Sequence, residues 1–111
     1  MSVMLCLTTC SDREGALAIA RMLIGEKLAA CVNILPGIAS VYRWHGAIEQ
    51  ADEVQLFIKT TQSRVEALKV RLTELHSYDV PELVVLNVVD GLPAYLEWVA
   101  AALQPDLAEK S

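Results

Sequence analysis

The sequence has few cysteines, few aromatic residues and no long apolar run, and each shortage excludes a class of protein. Three cysteines among 111 residues do not make up the ligand set of an iron–sulfur cluster. They are an odd number without close pairing, which is typical of a reduced, intracellular chain, so we expect a cytoplasmic protein. The longest apolar run, residues 98–103, spans six residues, whereas a membrane-spanning helix needs roughly 20. No membrane partner is therefore expected.

Basic residues are also scarce. Nine Lys and Arg stand against 14 Asp and Glu, for a net charge of −5, and the nine bases are scattered along the chain. A nucleic-acid-binding protein neutralises phosphates with a basic face, so no nucleic-acid partner is expected. With 54% hydrophobic residues the chain has enough apolar side chains for a core. Its length predicts a single domain over residues 1–111.

The first half of the chain predicts a strand, a helix and a long hairpin. Residues 3–9 form an apolar strand, and Ser11 followed by Glu14 predicts a capping box for a helix over about residues 12–27. Residues 30–61 are expected to form one hairpin, interrupted by a bulge at Pro36 and Gly37 and turning at His45 and Gly46.

The second half predicts a helix, a strand and a final helix. Ser63 and Glu66 offer another capping box, and this helix is expected to stop near His76 because Pro81 cannot continue it. Residues 83–89 have almost no polar side, which predicts a strand at the centre of its sheet. Pro93 is expected to start the last helix.

The element order is β-α-β-β-α-β plus a terminal helix, which is the ferredoxin-like arrangement of an α+β sandwich. Two helices cover one face of a four-stranded sheet in this arrangement and leave the other face bare. The first and last strands are nevertheless apolar on both faces. Because soluble monomers rarely expose a large apolar patch, the chain is expected to form oligomers.

One short segment carries candidate metal ligands. His76 ends the second predicted helix, and Asp79 and Glu82 follow in a loop restrained by Pro81. A histidine with nearby carboxylates suits a divalent transition metal, with Cu(II) first by intrinsic affinity. The alternative is structural: the helix dipole favours a histidine in the last turn, and Glu82 pairs with a neighbouring side chain.

Two further positions allow a functional and a structural interpretation. Cys10 lies beside the N-terminus of the first helix, where a thiolate is favoured, so it is a candidate reactive or ligating group as well as a core residue. Tyr42, Arg43 and Trp44 near the hairpin corner are candidate lining residues of a pocket between subunits, because aromatic residues and arginine concentrate at interfaces.

Several motifs resemble the CutA divalent-cation-tolerance proteins, in order along nearly the whole chain. They are Leu28-Ala29-Ala30-Cys31-Val32-Asn33-Ile34, Pro36-x-Ile38-x-Ser40-x-Tyr42-x-Trp44-x-Gly46, Glu53, Lys59-Thr60 and His76-x-Tyr78-x-Val80-Pro81-Glu82. The resemblance implies a ferredoxin-like homotrimer, similar to the PII signalling proteins in architecture, and a link to copper and heavy-metal tolerance. It places Tyr42, Trp44, Lys59 and Tyr78 at an inter-subunit cleft.

The resemblance also implies a ligand set. The histidine and glutamate associated with copper in some members match His76 and Glu82, whereas the associated cysteine matches Thr8. Cys10 shares a side with Thr8 only if the first strand extends that far. Ser77 also stands where the family usually has proline. The predicted metal residues are therefore His76, Glu82 and Cys10.

The expected function is binding without catalysis. The leading hypothesis is a cytosolic trimer that needs no cofactor and weakly binds Cu(II) or another divalent metal. The alternative is a PII-like regulatory or scaffolding trimer that binds a small molecule or a partner protein in its inter-subunit clefts. An acylphosphatase-like hydrolase is disfavoured, because no arginine and asparagine share a phosphate-binding loop.

Overall fold

A computed structural model describes residues 2–105 and contains one antiparallel sheet and three α-helices over this range. The elements are β1 (Val3–Cys10), α1 (Arg13–Gly25), β2 (Cys31–Trp44), β3 (Ala47–Thr61), α2 (Val65–Leu75), β4 (Val84–Asn87) and α3 (Pro93–Ala102). The strand order in the sheet is β2-β3-β1-β4, and the predicted ferredoxin-like β-α-β-β-α-β order with a terminal helix is confirmed. Within residues 2–105, no helix combines the length and the apolar character that a bilayer crossing requires.

Both predicted capping boxes are wrong. Helix α1 is capped by Asp12, whose Oδ1 accepts the Gly15 backbone N–H at 2.7 Å, rather than by Ser11. Ser63 lies within a 3₁₀ turn, Gln62–Arg64, that precedes α2, and its hydroxyl pairs with that of Thr61 at 3.1 Å. The hydroxyl of Ser63 is thus engaged before α2 begins, and α2 has no side-chain cap.

The long hairpin is confirmed in detail. The register of β2 and β3 shifts between Leu35 and Ile38, and Gly37 has a φ of 79°, which a bulge position in the left-handed region requires. His45 and Gly46 both have positive φ, at 49° and 82°, as in the two-residue turns that match strand twist. At about 3.3 Å per residue, the 15 residues of β3 account for most of the molecule's 53 Å length.

The main core lies between the sheet and helices α1 and α2. Alternate residues of β1 and β3 point towards these helices, which is why their sequences alternate between buried and partly exposed positions. The principal buried members are Cys6, Cys10, Ile19, Leu23, Leu56, Ile58, Leu68 and Leu72.

The opposite face of the sheet is only partly bare, which corrects the expectation that two helices leave it uncovered. Helix α3 packs its Val99 and Leu103 against Val3 of β1 and Ala30 at one end of this face. Strand β4 is also an edge strand rather than a central one, and it pairs only with β1. Its Val84 and Leu86 are 47% and 46% exposed on the part that α3 does not reach.

Candidate functional site

A cleft of about 710 Å³ lies between the hairpin and the loop that joins α2 to β4. The hairpin contributes side chains beyond its bulge, and the loop contributes residues 77–82. Its polar and aromatic lining consists of the rings of Tyr42, Trp44 and Tyr78, the carboxylates of Glu53, Asp79 and Glu82, and the hydroxyl residues Thr9, Ser40 and Ser77. Among residues 2–105 no Lys or Arg lines it, the predicted Arg43 included, so the charged side chains that line it over this range are all acidic.

Glu53 is the most deeply placed carboxylate in the cleft, with 9% of its surface exposed. Its Oε2 accepts a hydrogen bond of 2.7 Å from the Tyr78 hydroxyl. Burial by itself raises the pKa of Glu53, but hydrogen bonds from Ser40, Tyr78 and Thr9 lower it below its usual value overall. Glu53 is therefore a nearly buried, ionised carboxylate at neutral pH.

His76 fixes the loop that carries Tyr78. His76 is the C-cap residue of α2. Its Nδ1 accepts a hydrogen bond of 3.1 Å from the Tyr78 backbone N–H, and its Nε2 donates a hydrogen bond of 2.7 Å to the Thr9 carbonyl oxygen. These two bonds define the neutral tautomer with its proton on Nε2. The Tyr78 ring packs 4.7 Å from the imidazole, centroid to centroid. His76 thus joins the end of β1 to the cleft loop.

Tyr78 is held as a neutral donor. Burial, followed by the Glu53 hydrogen bond and charge, raises the pKa of its hydroxyl. The pKa values of Tyr78 and Glu53 therefore shift in opposite directions. Near neutral pH the Tyr78 hydroxyl stays protonated and the Glu53 carboxylate stays ionised.

Cys10 is next to His76 but is not an activated thiol. Strand β1 extends to Cys10, which places Cys10 on the same face as Thr8, and Cys10 Sγ lies 3.9 Å from His76 Nε2. Burial, with Asp12 and Glu53 adding to it, raises the pKa of Cys10 to about 11. The expectation of a favoured thiolate is therefore wrong, because desolvation outweighs the adjacent helix terminus.

The predicted metal ligands do not form one set in the single chain. Cys10 and His76 are buried together, whereas Glu82 is exposed on the cleft wall. Among residues 2–105, no group of three or more His, Cys, Asp and Glu side chains is placed to hold a metal ion. Both ring nitrogens of His76 are also occupied by hydrogen bonds. The residues of one chain thus do not fit a copper site.

The predicted cleft residues are largely brought together. Tyr42, Trp44 and Tyr78 line the cleft, whereas Lys59 lies outside the lining and donates to the Asn33 side chain. Sequence reasoning missed Glu53 as a site residue. The available signal was a carboxylate immediately before the alternating apolar residues of β3, at the level of the predicted bulge.

Comparisons with known proteins agree on one family. The family model described as "CutA1 divalent ion tolerance protein" matches residues 4–102. A divalent-cation tolerance protein CutA from Thermus thermophilus is 45% identical over 93 residues, which cover 84% of this chain and 90% of that protein. A chloroplastic CutA protein from Arabidopsis thaliana is 46% identical over 91 residues, which cover 82% of this chain and 50% of that protein.

The fold comparison agrees with the sequence comparison. The crystal structure of CutA from Xylella fastidiosa superimposes with a TM-score of 0.91 at 45% identity, covering 94% of this chain and 100% of that one. The family model and the relatives each span most of the chain. The chain therefore belongs to the CutA1 divalent ion tolerance protein family.

Proposed function

We propose that this protein acts in divalent-cation tolerance as a cytoplasmic homotrimer that binds a cation in the cleft without converting it. The observation that carries the proposal is the ionised, nearly buried Glu53 in a cleft that no Lys or Arg of the described residues lines. Such a site favours positive ligands by direct attraction, which is strengthened by partial exclusion of water. Asp79 and Glu82 add two carboxylates at its rim.

The homotrimer is supported by the apolar surface of the single chain. Val41 and Ile48 on the hairpin are 67% and 72% exposed, and Val84 and Leu86 on β4 are nearly half exposed. Burying these side chains between copies offsets the cost of association, at roughly 25 cal/mol for each Å². Closed symmetry lets one hairpin per subunit cover one neighbour. In this arrangement the cleft receives side chains from an adjacent subunit.

Binding without catalysis is supported by the pKa shifts of Glu53 and Tyr78. General acid–base catalysis needs a group whose pKa lies near the working pH. The pKa of Glu53 is lowered and that of Tyr78 is raised, so both move away from neutrality. The cleft is thus equipped to attract and hold a ligand rather than to exchange protons with it.

Metal titration tests the proposal. We expect Cu(II), or another divalent ion such as Zn(II), to bind the oligomer through cleft carboxylates, and Glu82→Gln and Glu53→Gln each to weaken binding by about tenfold or more. His76→Ala is also expected to weaken it, because His76 positions the loop. Isothermal titration calorimetry measures these affinities.

The matched control is Glu66→Gln, which removes an exposed carboxylate of α2 that pairs with Lys69 outside the cleft. It is expected to leave affinity unchanged. Equal loss in Glu66→Gln and Glu82→Gln, or metal binding that survives both cleft substitutions, would contradict the location. Sedimentation of each variant separates a lost site from a lost assembly.

A second function is favoured by the size and lining of the cleft. Small-molecule sites typically enclose about 300–1,000 Å³ and combine aromatic walls with a few polar groups. The cleft volume of about 710 Å³ and its three aromatic rings match that description. The protein would then act as a PII-like regulatory or scaffolding trimer whose partner responds to cleft occupancy.

A further inference from the structure

The aromatic wall of the cleft is formed by two rings of the hairpin and one ring of the facing loop. Tyr42 is 43% exposed and Trp44 is 48% exposed, and both project from the hairpin into the cleft opposite the loop that carries Tyr78. Aromatic faces carry partial negative charge and attract organic cations, whose alkyl shells they also shield from water. Three rings beside carboxylates form the kind of surface that recognises such ions.

Glu53 supplies the charge that this ligand must match. It is ionised and nine-tenths buried, and in the part of the chain that the structure describes no Lys or Arg forms an ion pair with it. Its hydrogen bonds from Tyr78, Ser40 and Thr9 orient the carboxylate and leave its negative charge in place. These hydrogen bonds offset the cost of burying the charge, and a cationic ligand placed beside the carboxylate gains a direct electrostatic attraction.

The same features disfavour a bare metal ion as the ligand that fills the whole cleft. Mg²⁺ and Ca²⁺ need about six or more oxygen ligands at short range. Within residues 2–105, no three Asp, Glu, His or Cys side chains are grouped closely enough to hold a metal ion. Aromatic rings add little to the coordination of a hard ion. A cavity of about 710 Å³ also greatly exceeds the volume of one dehydrated ion.

We propose that the cleft selects organic ammonium ions, with the cationic head beside Glu53 and the alkyl groups against Tyr42, Trp44 and Tyr78. This inference rests on the proposed role of the cleft as the binding site, and it specifies the ligand class of the second, small-molecule function. Asp79 and Glu82 at the rim favour the approach of the cation. The affinity is set by charge and aromatic contact together, so a neutral molecule of the same shape binds poorly.

The test uses Trp44 as its own reporter. The chain has two tryptophans, Trp44 and Trp98, so Trp98→Phe leaves Trp44 as the single indole. The oligomer is titrated with tetramethylammonium and with butylammonium while fluorescence is recorded. Equal concentrations of tert-butanol and 1-butanol serve as neutral counterparts, and sodium chloride keeps the ionic strength constant. We expect a saturable signal with both ammonium ions and none with either alcohol.

Substitutions locate the binding. Glu53→Gln is expected to weaken ammonium binding by about tenfold or more, because it removes the buried charge. Glu49→Gln removes an exposed carboxylate of β3 that does not line the cleft, and it is expected to leave the affinity unchanged. Trp44→Leu, followed by calorimetry, is a second variant, at a position that is 48% exposed. It is expected to reduce affinity severalfold.

The outcomes separate this inference from the function on which it rests. Equal binding of the alcohols, or equal loss in Glu49→Gln and Glu53→Gln, overturns the inference. Divalent metal binding without ammonium binding overturns it too, while the metal function survives. Ammonium binding without metal binding supports the inference and overturns the metal function. If neither ligand binds, both proposals fail.

Discussion

Single side chains in this protein act through the partners that they meet across the fold. Glu53 stays ionised although it is nearly buried, because three hydroxyl side chains donate to its carboxylate and outweigh the cost of desolvation. Cys10 shows the opposite balance, since burial next to acidic groups keeps its thiol protonated. Both ring nitrogens of His76 make hydrogen bonds that hold the fold together. The cleft therefore owes its charge to Glu53 and its shape to His76.

Thr8 provides a prediction at this scale. It is fully buried, and within the part of the chain that the structure describes its Oγ1 has no hydrogen-bond partner. Thr8→Val keeps the branched shape and removes the unsatisfied hydroxyl, so we expect the free energy of unfolding to rise by about 1 kcal/mol. Urea denaturation at fixed protein concentration measures this change.

The matched control is Thr60→Val, at an equally buried threonine of the adjacent strand. The Thr60 hydroxyl donates to the Leu28 carbonyl oxygen over 2.7 Å, so its loss should lower stability by about 1 kcal/mol or more. Destabilisation of the same size in both variants would show that the Thr8 hydroxyl has a partner in the assembled protein.

At the scale of elements, local backbone geometry decides where each helix begins. Asp12 and Ser11 are both good N-cap residues. Asp12 is the cap, because its backbone is extended and its carboxylate accepts the Gly15 N–H. Helix α2 is preceded by a 3₁₀ turn, in which the chain is wound more tightly, and this turn takes the place of a side-chain N-cap. The two helices thus begin by different means.

The cap of α1 gives the second prediction. Asp12→Ala removes the acceptor for Gly15 N–H and a negative charge near the helix N-terminus, so we expect a loss of about 1 kcal/mol in unfolding free energy. Ser11→Ala is the control and should change stability little. Urea denaturation followed by circular dichroism compares them. A larger loss in Ser11→Ala would reassign the cap to Ser11.

At the scale of the whole molecule, the hairpin and the partly uncovered sheet face are the surfaces through which we expect the chain to assemble. The hairpin extends well beyond the part of the sheet that α1 and α2 cover, and beyond its bulge most of its residues are exposed. Leu86 of β4 pairs with Leu5 of β1 on the sheet face opposite α1 and α2. Both surfaces expose large apolar side chains, among them Val41 and Ile48 on the hairpin and Leu86 on β4, which favours contact between copies.

The assembly prediction is quantitative. Sedimentation equilibrium at micromolar concentration should give about three times 12.2 kDa. Leu86→Lys places a charge on the sheet face and should shift the mass towards the monomer. Val70→Lys alters an equally apolar side chain, 63% exposed on α2, and should leave the mass unchanged. A parent protein that sediments as a stable monomer would refute the homotrimer.

The sequence by itself determined the elements and their order. The two-residue alternation of β1 and β3 and the helical spacing of α1 and α2 are local patterns, and so are the bulge at Gly37 and the turn at His45 and Gly46. Each depends on residues that are close along the chain. The family motifs indicated Tyr42, Trp44 and Tyr78 as residues of an inter-subunit cleft. The structure brings all three to one cleft of the single chain, and their place between subunits stays a prediction.

Only the tertiary structure decided which strand lies at the edge and which side chains meet in the cleft. The apolar sequence of a strand such as β4 indicates that its side chains are buried. The sequence does not say whether a neighbouring strand or another subunit covers them. The Glu53–Tyr78 bond joins residues 25 positions apart, and the Cys10–His76 contact joins residues 66 apart. Such pairs form because the sheet and α2 pack together, and the protonation of Glu53 and Cys10 follows from the burial that this packing creates.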